Sequence, residues 1–151
     1  MTTPSDIRSA WNTAVWTHAS ITALTTKIYA YEVTSDSAYN IDKFRFQQAI
    51  NFFTYVVTYA DQNTLVQGTR QRFTVTVSYF READTTGAAF NAVVDNLYTV
   101  QSRVRTGLGK TWSSTVDFYQ PQETPIAPTL QQIDGKDVWR GTVSFDGFKS
   151  I

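Results

Sequence analysis

The stretch "QRFTVTVSYFREAD", residues 71–84, decides how this chain folds. Phe73, Val75, Val77 and Tyr79 alternate with Arg72, Thr74, Thr76 and Ser78. Strand side chains point to opposite faces with a period of two, so the pattern predicts a strand with one face in a core. The second face carries small hydroxyls and ends in Phe80, Arg81 and Glu82. It meets either water or another protein.

Downstream, "ADTTGAAFNAVVDNLYTVQSRVRTGLG" changes period from two to between three and four. Asp84, Thr85 or Thr86 caps its start, and Phe90, Val93, Val94, Leu97, Val100, Gln101 and Val104 trace a buried stripe. Arg103 and Arg105 suit the negative end of a helix, and Gly107 or Gly109 supplies a left-handed stop. Upstream, "NFFTYVVTYA" reads as a strand with Phe53, Tyr55, Val57 and Tyr59 on one face. The turn formers Asp61, Asn63 and Gly68 join it to the first strand as a long antiparallel hairpin.

The outer segments follow the same rules. "TPSDIRSAWNTAVWTH" predicts a helix with Thr3 as cap and Pro4 in the first turn, its apolar face formed by Ile7, Ala10, Trp11, Ala14, Val15 and His18. "TKIYAYEV" is a short strand, and residues 34–50 are open between helix and strand. "TWSSTVDFY" is a strand, "QPQETPIAPTLQQ" a proline-rich surface excursion, and "DGKDVWRGTVSFDGF" a turn and a closing strand. In that strand Trp139, Gly141, Val143 and Phe145 alternate with Arg140, Thr142, Ser144 and Asp146. The expected fold is α+β: a single domain over residues 1–151, with an antiparallel or mixed sheet, a long hairpin and two helices packed on one face.

A chain of 151 residues can bury roughly 70% of the surface its unfolded form exposes, so it needs no disulfide or metal to hold a core. It has no cysteine, which removes thiolate metal sites and cysteine nucleophiles. No apolar run approaches the roughly 20 residues of a membrane span, so no membrane partner is expected. "MTTPSDIRSAW" lacks the basic-then-apolar order of a signal peptide, which points to the cytoplasm as the site of synthesis. Thirteen basic and thirteen acidic residues cancel, which disfavours a dedicated nucleic-acid binder. The charge is uneven, net +3 over residues 69–110 and net −2 over residues 111–151.

Chemical motifs fail on context. "GLGKT" ends like a phosphate-binding loop, but Val104 stands where its first glycine belongs, and the residues close a helix instead of opening one. His18, the only histidine, has no nucleophile motif beside it. "DGKD" lacks the ligand spacing of a calcium loop. Aromatics interleaved with basic residues in "KFRFQQAINFFTY" could stack on bases, yet core packing explains them as well. No catalytic constellation stands out, so no enzymatic activity, cofactor or metal is expected. A strand face lined by Thr and Ser costs little to desolvate and favours contact with protein.

The helix–strand–hairpin–helix–strand–strand order, the alternating "RQRFTVTVSYF" before an Asp/Thr-capped helix, and the closing "KDVWRGTVSFDGF" resemble the tail terminator proteins of long-tailed bacteriophages. The resemblance covers residues 3–148, and related neck and tail-completion proteins share much of the pattern. It implies a virion protein of the tail or neck, without cofactors, assembled in the host cytoplasm. It implies a homo-oligomer, a hexameric ring on the tail tube, which stops tube growth and offers a docking surface to the head connector. The partners implied are the tail-tube protein and the head-completion protein. DNA passes through the ring without sequence-specific binding. The expected contacts are the hairpin tip (Asp61, Gln62, Asn63, Gln67, Arg70), the strand face (Thr74, Thr76) and the excursion (Gln122, Glu123, Ile126, Gln131). Two rivals stand beside this reading: another head–tail joining protein, and a small ligand-binding or enzymatic α+β domain.

Overall fold

The strand read from residues 71–84 is β3, Arg70–Glu82, in the interior of a six-stranded mixed sheet. A computed structural model describes residues 4–24, 28–30, 50–59, 70–106, 116–121, 125–133 and 135–150. From one edge the sheet runs β1 (Ile28–Ala30), β2 (Asn51–Tyr59), β3, β6 (Lys136–Ser150) and β4 (Val116–Pro121). β1 is parallel to β2, and the other pairs are antiparallel.

The predicted pairing of β2 with β3 is present, from Asn51↔Arg81 to Tyr59↔Phe73. β3 pairs along its whole length with β6, from Glu82↔Val138 to Arg70↔Ser150. The outer edge of β6 is shared by two strands. β5 (Thr129–Ile133) pairs with its first residues and β4 with its last. The excursion expected over "QPQETPIAPTLQQ" is therefore partly sheet. Its polar residues hid a strand that hairpin pairing with β6 creates. Gly135, at φ +76°, lies in the turn between β5 and β6, where glycine meets no steric penalty.

One sheet face holds the core. Phe53, Tyr55 and Val57 of β2, Phe73, Val75, Val77 and Tyr79 of β3, and Val143 and Phe145 of β6 are buried there under the helices. The long helix α3, Ala88–Thr106, lays Val93, Leu97, Val100 and Val104 on this face. Burying each such side chain contributes about 1.5–3 kcal/mol. Val93 and Leu97 sit directly over Gly141, where a Cβ would lie 2.7 and 2.6 Å from their methyl carbons. Phe90 and Val94, expected in the stripe, are only half-buried, and the Phe90 ring meets Trp139 edge-on at 5.1 Å. The start of α3 is capped as predicted: Ala88 N–H donates to Thr86 Oγ1 and Ala89 N–H to Asp84 Oδ1, each at 3.4 Å. Slight desolvation pushes the Asp84 carboxyl up. Hydrogen bonds from Ala89, Thr86 and Gly87 outweigh it and hold the group below the usual carboxylate range.

The first helix differs from the expected single run. α1 (Pro4–Trp11) passes into a π-helical turn, Asn12–Trp16, and a short α2 (Ala19–Thr22) follows. Thr17 N–H donates to Asn12 O at 3.0 Å, five residues back, which widens the turn. The shifted register buries two consecutive residues, Val15 and Trp16. Trp16 packs on Phe53 and Tyr55, with ring centroids 5.3 and 5.4 Å away. An α-helical spacing places only one of them inward. His18, expected on the apolar face, is instead exposed, and its Nδ1 caps α2 by accepting from Ser20 N–H. Arg103, expected to complement a helix dipole, donates from Nε to Ala14 O at 2.8 Å and ties α3 to the π-turn.

Candidate assembly surface

The opposite face of the sheet is built from the other residues of β2, β3 and β6, and strand register arranges them in rows. Thr58, Thr74 and Asp146 form one row; Val56, Thr76 and Ser144 the next. Then come Thr54, Ser78 and Thr142, and finally Phe52, Phe80 and Arg140.

Across β3 and β6 the rows are hydrogen-bonded. Thr74 Oγ1 donates to Asp146 Oδ1 at 2.8 Å, Ser78 Oγ pairs with Thr142 Oγ1 at 3.0 Å, and Thr76 Oγ1 approaches Ser144 Oγ at 3.4 Å. These pairs add cross-strand stabilisation. They also hold the hydroxyls in fixed positions, so little side-chain entropy remains to be lost when a partner arrives.

The face is closed at one end and open at the other. Phe52, Thr54, Val56, Ser78, Phe80 and Val138 are buried, and the Phe52 and Phe80 rings stack at 4.9 Å. Thr58 and Thr142 are exposed, and Thr74, Thr76, Ser144 and Asp146 are half-buried. The sequence reading favoured contact with protein along the strand face lined by Thr and Ser. The structure withdraws Ser78 and Phe80, because burial within the chain already uses them. What stays open is a strip of hydroxyls with one carboxylate.

The predicted contact residues divide accordingly. Thr74 and Thr76 lie together on the open strip. Asp61, Gln62, Asn63, Gln67, Gln122 and Glu123 lie outside the described residues, and Arg70 begins β3. Gln131 is half-buried on β5 opposite Val138. Ile126 is half-buried and packs against the core beside Gly141, where an apolar side chain fills the gap next to the glycine. Thr58, Thr142, Ser144 and Asp146 were missed as site residues. For Thr142, Ser144 and Asp146 the signal was the alternation in "TVSFD", and for Thr58 that in "NFFTYVVTYA"; both become informative once those strands are placed beside β3.

No protein-family model matches the chain, and no curated protein matches it. One of the solved structures that match is similar over 100% of this chain and 97% of its own length, at 13% identity and a TM-score of 0.49. Among the described residues no helix is long and apolar enough to cross a membrane.

Proposed function

We propose that this chain is a structural protein of a phage tail, a terminator that joins copies of itself into a ring on the head-proximal end of the tail tube. The observation that carries the reading is the open strip of Thr58, Thr74, Thr76, Thr142 and Ser144 on the interior strands of the sheet, in which Thr74, Thr76, Thr142 and Ser144 are held by cross-strand hydrogen bonds. It joins the sequence resemblance of the 71–82 strand, the following capped helix and the closing strand to that family.

A tube grows because each ring exposes a surface complementary to the next, a contact that does not close on itself. A cap must match the tube once and present something different beyond it. A rigid hydroxyl strip suits such a contact. Its groups lose little on desolvation compared with lysine or glutamate, and they re-form hydrogen bonds across an interface. In the ring, the hexamer, the tube protein and the head-completion protein are the partners, and the host cytoplasm is where assembly takes place.

Negative-stain microscopy of the purified protein mixed with tail-tube protein tests this. Rings or caps at one end of tubes of uniform length are expected. Tubes that grow unchecked with no bound protein overturn the reading.

A further inference from the structure

Arg140 is a half-buried cation with no carboxylate beside it among the described residues. It lies on the polar face of β6, directly opposite Phe80 of β3, and its guanidinium carbon sits 5.2 Å from the centre of the Phe80 ring. Nη2 donates to Ser78 Oγ at 3.4 Å, and Nε is buried with no hydrogen-bond partner. Glu82 and Asp146 on that face are engaged elsewhere. Glu82 pairs with Lys136 at 3.9 Å, and Asp146 accepts from Thr74.

A second orphan flanks Ser78 on its other side. Thr54, opposite Ser78 on β2, is 1% exposed, and its Oγ1 also lacks a partner. Ser78 thus stands between two buried polar groups whose hydrogen-bonding capacity is unused. Leaving such groups unmet costs about 1–3 kcal/mol each. Thr142, paired to Ser78 and exposed, opens this cluster to the surface.

We propose that Arg140 and Thr142, both hydrogen-bonded to the buried Ser78, form a carboxylate-binding site on the polar face of the sheet. A guanidinium presents a planar fork that matches a carboxylate, and the exposed Thr142 hydroxyl beside it donates to a remaining lone pair while Ser78 donates to Thr142. The charge selects the ligand. One cation balances one carboxylate, whereas a phosphate would leave excess negative charge in a half-buried place. The carboxylate comes either from an Asp or Glu side chain of another copy of this chain or from a small free acid. The site stands whether or not the chain caps a tube.

Sodium acetate, exchanged for sodium chloride at constant ionic strength, is the probe, and amide NMR of the full chain is the readout. Saturable shifts centred on residues 78 and 140–142 are expected, with a Kd on the order of 10 mM for one charge-assisted contact. Arg140→Gln abolishes them. Thr142→Val, an exposed substitution that leaves the fold intact, weakens binding several-fold and guards against a folding defect in the first variant. Sedimentation in the same two salts separates the sources. If acetate and Arg140→Gln both reduce self-association, the natural carboxylate belongs to a second copy. Saturable acetate binding with unchanged association points to a free acid. Shifts that never saturate, shifts that persist in Arg140→Gln, or inorganic phosphate binding as tightly as acetate each overturn the proposal.

Discussion

A Cβ placed on Gly141 would stand 2.6 Å from Leu97 Cδ1, closer than packed carbons approach. The glycine is there because α3 rests on β6 at this point, and backbone freedom plays no part. Gly141→Ala therefore overpacks the helix–sheet contact and destabilises the chain by about 1–3 kcal/mol in urea unfolding. Combining it with Leu97→Ala removes one clashing carbon. The pair is then less destabilised than the sum of the single variants, which a double-mutant cycle measures directly.

Arg103 and Ala14 are joined across elements by a 2.8 Å hydrogen bond, and Arg105, two residues further along, is exposed. Arg103→Met keeps most of the aliphatic stem and removes the donor. It costs about 1.5–3 kcal/mol, the range for hydrogen bonds to charged groups. Arg105→Met changes stability by less than about 0.5 kcal/mol. Equal effects at the two positions would show that charge near the helix end, and not the bond to the π-turn, is what Arg103 supplies.

The acid limb of stability reports on the α3 cap. The Asp84 carboxyl is held below its ordinary value, mainly by backbone N–H groups at the helix start, against a slight desolvation that opposes them. A depressed carboxylate contributes stability that is present above its unfolded pKa, about 3.9, and lost as pH falls through the folded value. Asp84→Ala lowers the melting temperature at neutral pH. The gap between variant and wild type closes as the buffer is taken well below pH 4. A gap that stays constant to low pH excludes the charged cap as the cause.

Tyr55 acts at the opposite limb. Burial raises its hydroxyl above the ordinary tyrosine value, with the Arg8 charge and the Trp16 indole working the other way. The folded state therefore keeps the proton longer than the unfolded chain does. The associated stability is complete below about pH 10 and is lost as pH rises toward and through the folded value. In Tyr55→Phe this part of the alkaline decline is missing. Melting curves of the two proteins from neutral pH upward check it.

The parts of the fold that sequence made legible are those where local pattern and tertiary packing agree. Period-two alternation in β2, β3 and β6 assigned their core faces, and the spacing of Val93, Leu97, Val100 and Val104 assigned the core face of α3. Three features escaped for identifiable reasons. The π-turn adds one residue to a helical repeat, so Trp16 lies off the α-helical face it joins. β5 is polar and short, and its identity as a strand depends on β6. The closed end of the polar face is set by Phe52, Val56, Phe80 and Val138. Their apolar character on that parity was visible, but their placement on neighbouring rows of one face was not until the register was known. The same register brings Arg140 beside Ser78, which no linear motif encodes.

Adjacent alternate positions on β3 separate folding from assembly. Thr76 is half-buried on the open strip, facing Ser144; Ser78, two residues along, is 3% exposed and bonded to Thr142. Lysine at position 76 can extend over the strip and keep its ammonium in water. Lysine at position 78 must bury a charge beside Arg140 or expel the neighbouring rows. Thr76→Lys therefore folds with a melting temperature close to wild type and fails to cap tubes in a tail-tube mixing assay. Ser78→Lys loses about 3 kcal/mol or more of stability before assembly is considered. If Thr76→Lys caps tubes as well as wild type does, the hydroxyl strip faces solvent and the contact with the tube lies elsewhere on the chain. If Ser78→Lys is as stable as wild type, the closed end of the face yields readily, and the boundary between buried and open rows is drawn in the wrong place.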